Sequence, residues 1–111
     1  MAKRDELMTK YAADLKRIGV EPDMDLLTRA VKACGPSIYN ADAETVAASS
    51  PDEVNRVKQN FLMKRLGMTD QGAVDAAMDK ALDKIGRSNR NKYRAVMYYL
   101  LATETGRTAK L

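Results

Sequence analysis

The sequence predicts an all-α fold, and three observations predict it. Apolar residues recur at helical spacing in five stretches, each stretch is bounded by a capping residue or a glycine, and no alternation of period two runs long enough to make a strand. There is no Asn-Gly hairpin signal, internal repeat or low-complexity linker. Short loops between the five main stretches suggest a compact bundle in one domain, residues 1–111, whose sequential helices pack roughly antiparallel.

The elements follow in order. Leu7, Tyr11, Leu15 and Ile18 line one face of a first helix over about residues 4–18, and Gly19 is its natural stop. Asp23 or Asp25 caps a second, with Leu27, Ala30, Val31 and Cys34 on its face, which Gly35-Pro36 ends. Residues 37–49 are the least legible; Asn40 could cap a short extra helix near 41–47. Ser50-Pro51-Asp52-Glu53 reads as a capping box with proline at the first helical position, and loss of Ser50 is expected to cost about 1 kcal/mol. The helix it starts carries Val54, Val57, Phe61 and Leu62 and stops at Gly67.

Thr69-Asp70 opens the next helix. Its stripe of Val74, Ala77, Met78, Ala81, Leu82 and Ile85 is the cleanest amphipathic pattern in the chain, Ala77 and Ala81 permit close approach of a partner helix, and Gly86 closes it. Ser88 is read as the cap of a last helix bearing Tyr93, Val96, Met97, Leu100 and Leu101, which Gly106 ends before a frayed tail over 105–111.

Composition narrows the function classes. Apolar residues make up 45% of the chain and charged residues 31%, a globular balance. Cys34 is the sole cysteine, so no intramolecular disulfide can form, and a lone thiol suits a reducing compartment; the start of the chain lacks a signal-peptide core, and no run is apolar enough to span a membrane. The expected location is the cytoplasm. The chain has no histidine, which removes the commonest general base and transition-metal ligand, so an enzyme is disfavoured and no cofactor is called for.

The charge is unevenly placed. Arg87, Arg90, Lys92 and Arg94 lie within eight residues, with no acid from Gly86 through Ala102, while the whole chain holds 19 basic and 15 acidic residues. The remainder, 15 of each, is neutral. At the start of a helix such cations oppose the macrodipole by about 0.3–1 kcal/mol each. One reading is an anion-binding mouth of backbone N–H groups and guanidinium forks; the plainer one pairs these residues with Asp75, Asp79, Asp83 or other acids, or lays their stems over apolar surface. Gly86-Arg87-Ser88, between a helix ending at Ile85 and one led by Asn89, Arg90, Asn91 and Arg94, also suggests a helix-turn-helix.

Three of five tyrosines, Tyr93, Tyr98 and Tyr99, sit on the last helix, where a rotation of about 100° per residue sends them in different directions, so at least one is expected at the surface. Cys34 follows the carbonyl end of the second helix, which raises a thiol pKa, and reads as structural. Asp23-Met24-Asp25 and Asp42-Ala43-Glu44 do not fill a calcium loop's spacing and read as caps and turns, so no metal ligand is assigned.

The stretches KRDELMTKYAADL, ACGPSIYNADAETVAASSPDEV, FLMKRLG and GRSNRNKYRAVMYYLLA together resemble an uncharacterised family of short, standalone bacterial proteins, a domain of unknown function, over nearly the whole chain. The resemblance implies a complete, all-helical protein and brings no activity, cofactor or catalytic residue.

The expectation drawn from these readings is a small interaction or regulatory module, self-associating or bound to another protein, through the basic, tyrosine-bearing helix from Arg90 to Thr103. The candidate anion- or partner-binding residues are Arg87, Arg90, Lys92, Arg94, Tyr98 and Tyr99, and the seven methionines would adapt to a partner's surface. Nucleic-acid or phosphate binding by the same basic cluster is the alternative. A third reading is an enzyme using carboxylates or tyrosines in a pocket near Tyr39 and Asn40. No membrane partner is expected.

Overall fold

Three helices of the described residues begin where an Asp or Ser side chain accepts free backbone N–H groups, at Asp23, Ser50 and Asp70. A computed structural model describes residues 2–47, 49–89 and 92–111, with the backbone alone for residues 2–4, 41 and 42. Its main elements are α1 (Ala2–Arg17), α2 (Met24–Cys34), the single turn α3 (Ala41–Glu44), α4 (Pro51–Arg56), α5 (Gln71–Ile85) and α6 (Arg94–Glu104). Asp23 accepts from the N–H groups of Asp25 and Leu26 to start α2, and Asp70 accepts from Gly72 to start α5. The fold is all-α, with no strand among the described residues.

α6 is the hub. Seven of its eleven residues are buried, on more than one face, and it packs against α2, α5 and α1. A helix apolar around most of its circumference belongs inside a bundle. The stripe of α5 buries Val74, Met78, Ala81, Leu82 and Ile85 in the same core, which also takes Tyr11, Leu15, Leu27, Val31 and Phe61.

α4 continues as a π-helix from Val57 to Arg65, and Leu66 and Met68 still donate to Phe61 and Leu62 beyond it. The wider π turn carries inward-facing positions further along the chain. The buried set is therefore Val57, Phe61, Leu62 and Leu66, while Val54 is half-buried. Gly67, at φ 75°, then reverses the chain. Only half of the expected capping box forms: Ser50 accepts from the Glu53 N–H at 3.4 Å, but the Ser50 N–H donates to Ala47 O and the Glu53 carboxylate turns to Arg94 at 3.2 Å.

Residues 35–45 form a 3-10 turn over Gly35–Tyr39, then α3, then an isolated antiparallel bridge between Thr45 and Tyr93. Val46 donates to the Lys92 carbonyl at 2.8 Å beside that bridge. This pairing explains why the last helix starts later than Ser88. It draws Tyr93 into extended backbone at the N-cap, so α6 begins at Arg94 and the α5–α6 connection spans 86–93. Arg87 and Lys92 accordingly lie in a connection and not in a helix's first turn, and the short turn of a helix-turn-helix is not formed.

The tail is docked. Arg29 donates to Thr108 O at 2.7 Å, Arg65 to Leu111 O at 3.0 Å and Arg107 to Leu66 O at 3.1 Å, Thr108–Lys110 make a 3-10 turn, and Leu111 packs against the core. Guanidinium groups reaching backbone carbonyls override the local tendency of a polar segment to fray. Among the described residues, no helix is long and apolar enough to cross a membrane.

Candidate anion-binding recess

The Thr45–Tyr93 bridge brings the α3–α4 connection alongside the α5–α6 connection, and a recess of about 280 Å³ opens between them. Val46, Ala47 and Ser49 line it from the first connection, and Arg87, Ser88, Asn89 and Lys92 from the second. Among the described residues, no carboxylate lines it.

Lys92 is the side chain on which this connection closes. It is only 5% exposed, and its Nζ donates to the carbonyls of Arg87, at 2.7 Å, and Asn89. Burial, with the Arg87 charge as the second cause, lowers its pKa. Among the described residues it forms no ion pair. An ammonium has three donors, so the two carbonyls leave one N–H over.

Arg87 stands at the mouth, exposed, with Nε 2.5 Å from Asp83 and Nη2 3.4 Å from Asp79. Its hydrogen bonds to these two carboxylates raise its pKa. Arg90 falls outside the described residues. The other predicted residues are elsewhere. Arg94 is half-buried, donating through Nε to Ala43 O at 3.0 Å and pairing with Glu53 at 3.2 Å, which ties α6 to α3 and α4.

Tyr98 stacks on Phe61 with ring centroids 3.9 Å apart, and its pKa is raised by burial against the pull of an Arg94 hydrogen bond. Tyr99 is buried, and its hydroxyl accepts from the Asp23 N–H at 2.9 Å. Tyr93 is half-buried. None of the three is exposed, because the helix that carries them is wrapped by its neighbours. Along α6, Arg94, Tyr98 and Glu104 are half-buried and Thr103 is exposed. The large apolar side chains left exposed among the described residues are Met24 and Tyr39, one at the start of α2 and the other beyond its end.

The recess beside Tyr39, about 200 Å³, is lined by Val31, Lys32, Gly35 and Ile38, with no carboxylate in its wall among the described residues. Cys34 is half-buried, and burial pushes its thiol up to about 12 against the opposing charges of Arg94 and Arg65. The direction is that expected from its place at the carbonyl end of α2, with desolvation as the main cause. No group of three or more Cys, Asp or Glu among the described residues could hold a metal.

A second polar cluster escaped the sequence reading. Tyr11 donates to Glu44 at 2.5 Å, Lys10 pairs with the same carboxylate at 2.7 Å, and the Lys10 ammonium lies 4.6 Å from the centre of the Tyr93 ring. Burial and then the Glu44 hydrogen bond raise the Tyr11 pKa. These groups are 33 and more residues apart, and neither periodicity nor charge runs signal such a pairing. Ser49 escaped for the same reason.

Residues 10–109 match the family model described as a protein of unknown function, DUF2853. The chain belongs to the DUF2853 family. The match covers every residue of the recess, so in this DUF2853 chain the two connections that meet there are both part of the family's common domain. No curated protein matches the sequence.

Proposed function

We propose that this DUF2853 protein is a binding module for a small phosphate-bearing anion, held in the recess between the α3–α4 and α5–α6 connections. One observation carries the reading: among the described residues, Lys92 is a buried cation without a carboxylate partner and lines a recess in which no acid stands. A buried charge of this kind is costly unless compensated, and an anion would compensate it. Arg87 at the mouth, whose Nε and Nη2 are held by Asp83 and Asp79, keeps its remaining N–H groups for phosphate oxygens, and Ser49 and Ser88 supply hydroxyl donors. The lone, neutral Cys34 thiol supports a cytoplasmic setting for this role.

Titration of the full chain with pyrophosphate at low salt, followed by amide NMR, tests the proposal. Saturable shifts at Ser49, Arg87, Ser88 and Lys92 are expected, and Arg87→Gln weakens them. A parallel titration with a short DNA duplex separates free phosphate from a nucleic-acid backbone, whose binding would fall steeply with salt. Absence of shifts with either ligand at low salt overturns the reading.

A further inference from the structure

A second recess, of about 420 Å³, lies between α5 and the end of α6, away from Lys92. Met68, Ala73, Ala76 and Ala77 give it an apolar wall; Lys80, one turn further along α5, and Glu104 and Arg107, from the end of α6 and beyond, bring the charges. The Glu104 side chain is 9% exposed, and both of its carboxylate oxygens are buried without a hydrogen bond. Lys80 Nζ lies 3.7 Å away, close enough for Coulomb attraction but too far to donate. Arg107 turns one nitrogen to Leu66 O instead. Buried carboxylates are almost always hydrogen-bonded, and one that is not lacks a donor.

We infer that this recess binds a free α-amino acid with an aliphatic side chain. An ammonium brings three donors to the two empty Glu104 oxygens. A simple alkylammonium would leave Lys80 and Arg107 facing a third cation. A zwitterion sets its own carboxylate against Lys80, whose side chain is 68% exposed and free to move from Glu104 to the ligand, and against the remaining N–H groups of Arg107. The aliphatic side chain then lies on the alanine and Met68 wall, where it is removed from water. The volume, near the lower end of the range of roughly 300–1,000 Å³ for ligand clefts, suits one small molecule and not a dinucleotide.

The test is an amide NMR titration of the full chain with leucine, leucinamide, which lacks the carboxylate, and 4-methylpentanoate, which lacks the ammonium. Leucine is expected to shift Ala76, Ala77, Glu104 and Thr105 saturably, and to bind at least about tenfold tighter than either analogue, the loss expected for one charge-assisted hydrogen bond. Glu104→Gln is expected to weaken leucine by a similar factor. Ala76→Phe, on the exposed part of the wall, fills the recess and abolishes binding with the helical spectrum unchanged, which keeps the test decisive if the Glu104 variant does not fold. No leucine shifts at millimolar concentration, equal binding of leucinamide, or full binding by folded Glu104→Gln each overturns the inference.

Discussion

The hydroxyl of Tyr99 accepts the backbone N–H of Asp23, 76 residues earlier in the chain, at 2.9 Å. That bond anchors the start of α2 to the middle of α6. The N–H it satisfies belongs to the residue whose own side chain caps α2. Tyr99→Phe keeps the ring in the core and removes the acceptor. It is expected to cost about 1 kcal/mol, which lowers the melting temperature by roughly 4–8 °C for a domain of this size; calorimetry or thermal circular dichroism would read it.

The caps should rank by geometry. Asp23 accepts two N–H groups, at 3.1 and 3.2 Å, whereas Ser50 accepts one at 3.4 Å. Asp23→Ala is expected to cost about 1–2 kcal/mol, and Ser50→Ala about 0.5 kcal/mol, below the typical value for a serine cap. Urea denaturation of the two variants would show the order, and equal losses would contradict it.

Two arginines from one basic run should behave differently. Arg87 pairs with Asp83 and Asp79 in the open, both partners about two-thirds exposed, so Arg87→Ala is expected to leave stability nearly unchanged. Arg94 is half-buried, and its removal orphans Glu53 and the Ala43 carbonyl; Arg94→Ala is expected to cost about 2–3 kcal/mol. The difference should persist in high salt, since only the exposed pair is screened.

Cys34 should be a slow nucleophile. Its thiol is pushed up to about 12 by burial, so the alkylation rate of the folded protein is expected to keep climbing with pH beyond 9, while the rate for the unfolded chain levels off there. Because the folded value lies above the unfolded one, the thiol favours the fold fully below about pH 9 and loses that contribution as pH rises toward 12. The raised Tyr11 phenol acts in the same direction above its ordinary value of about 10. Stability should therefore fall through this alkaline window, and Cys34→Ala should flatten the part of the decline that belongs to the thiol.

The sequence by itself determined the elements whose signals are local. The caps at Asp23, Ser50 and Asp70, the amphipathic stripe of α5 and the glycine stops each involve residues within a turn or two of one another, and the backbone obeys them. Tertiary structure decided the rest. Lys92 closing its own connection, Glu53 leaving its box for Arg94, Tyr99 turning inward, the tail held by Arg29 and Arg65, and the unsatisfied Glu104 beside an alanine wall depend on groups that meet in space. A helical pattern states which face must leave water, but not what will cover it. Once α6 became the covered element, Arg94 and Tyr99 had to find partners inside the fold, because an unpaired buried polar group costs more than the local preference that would have placed it elsewhere.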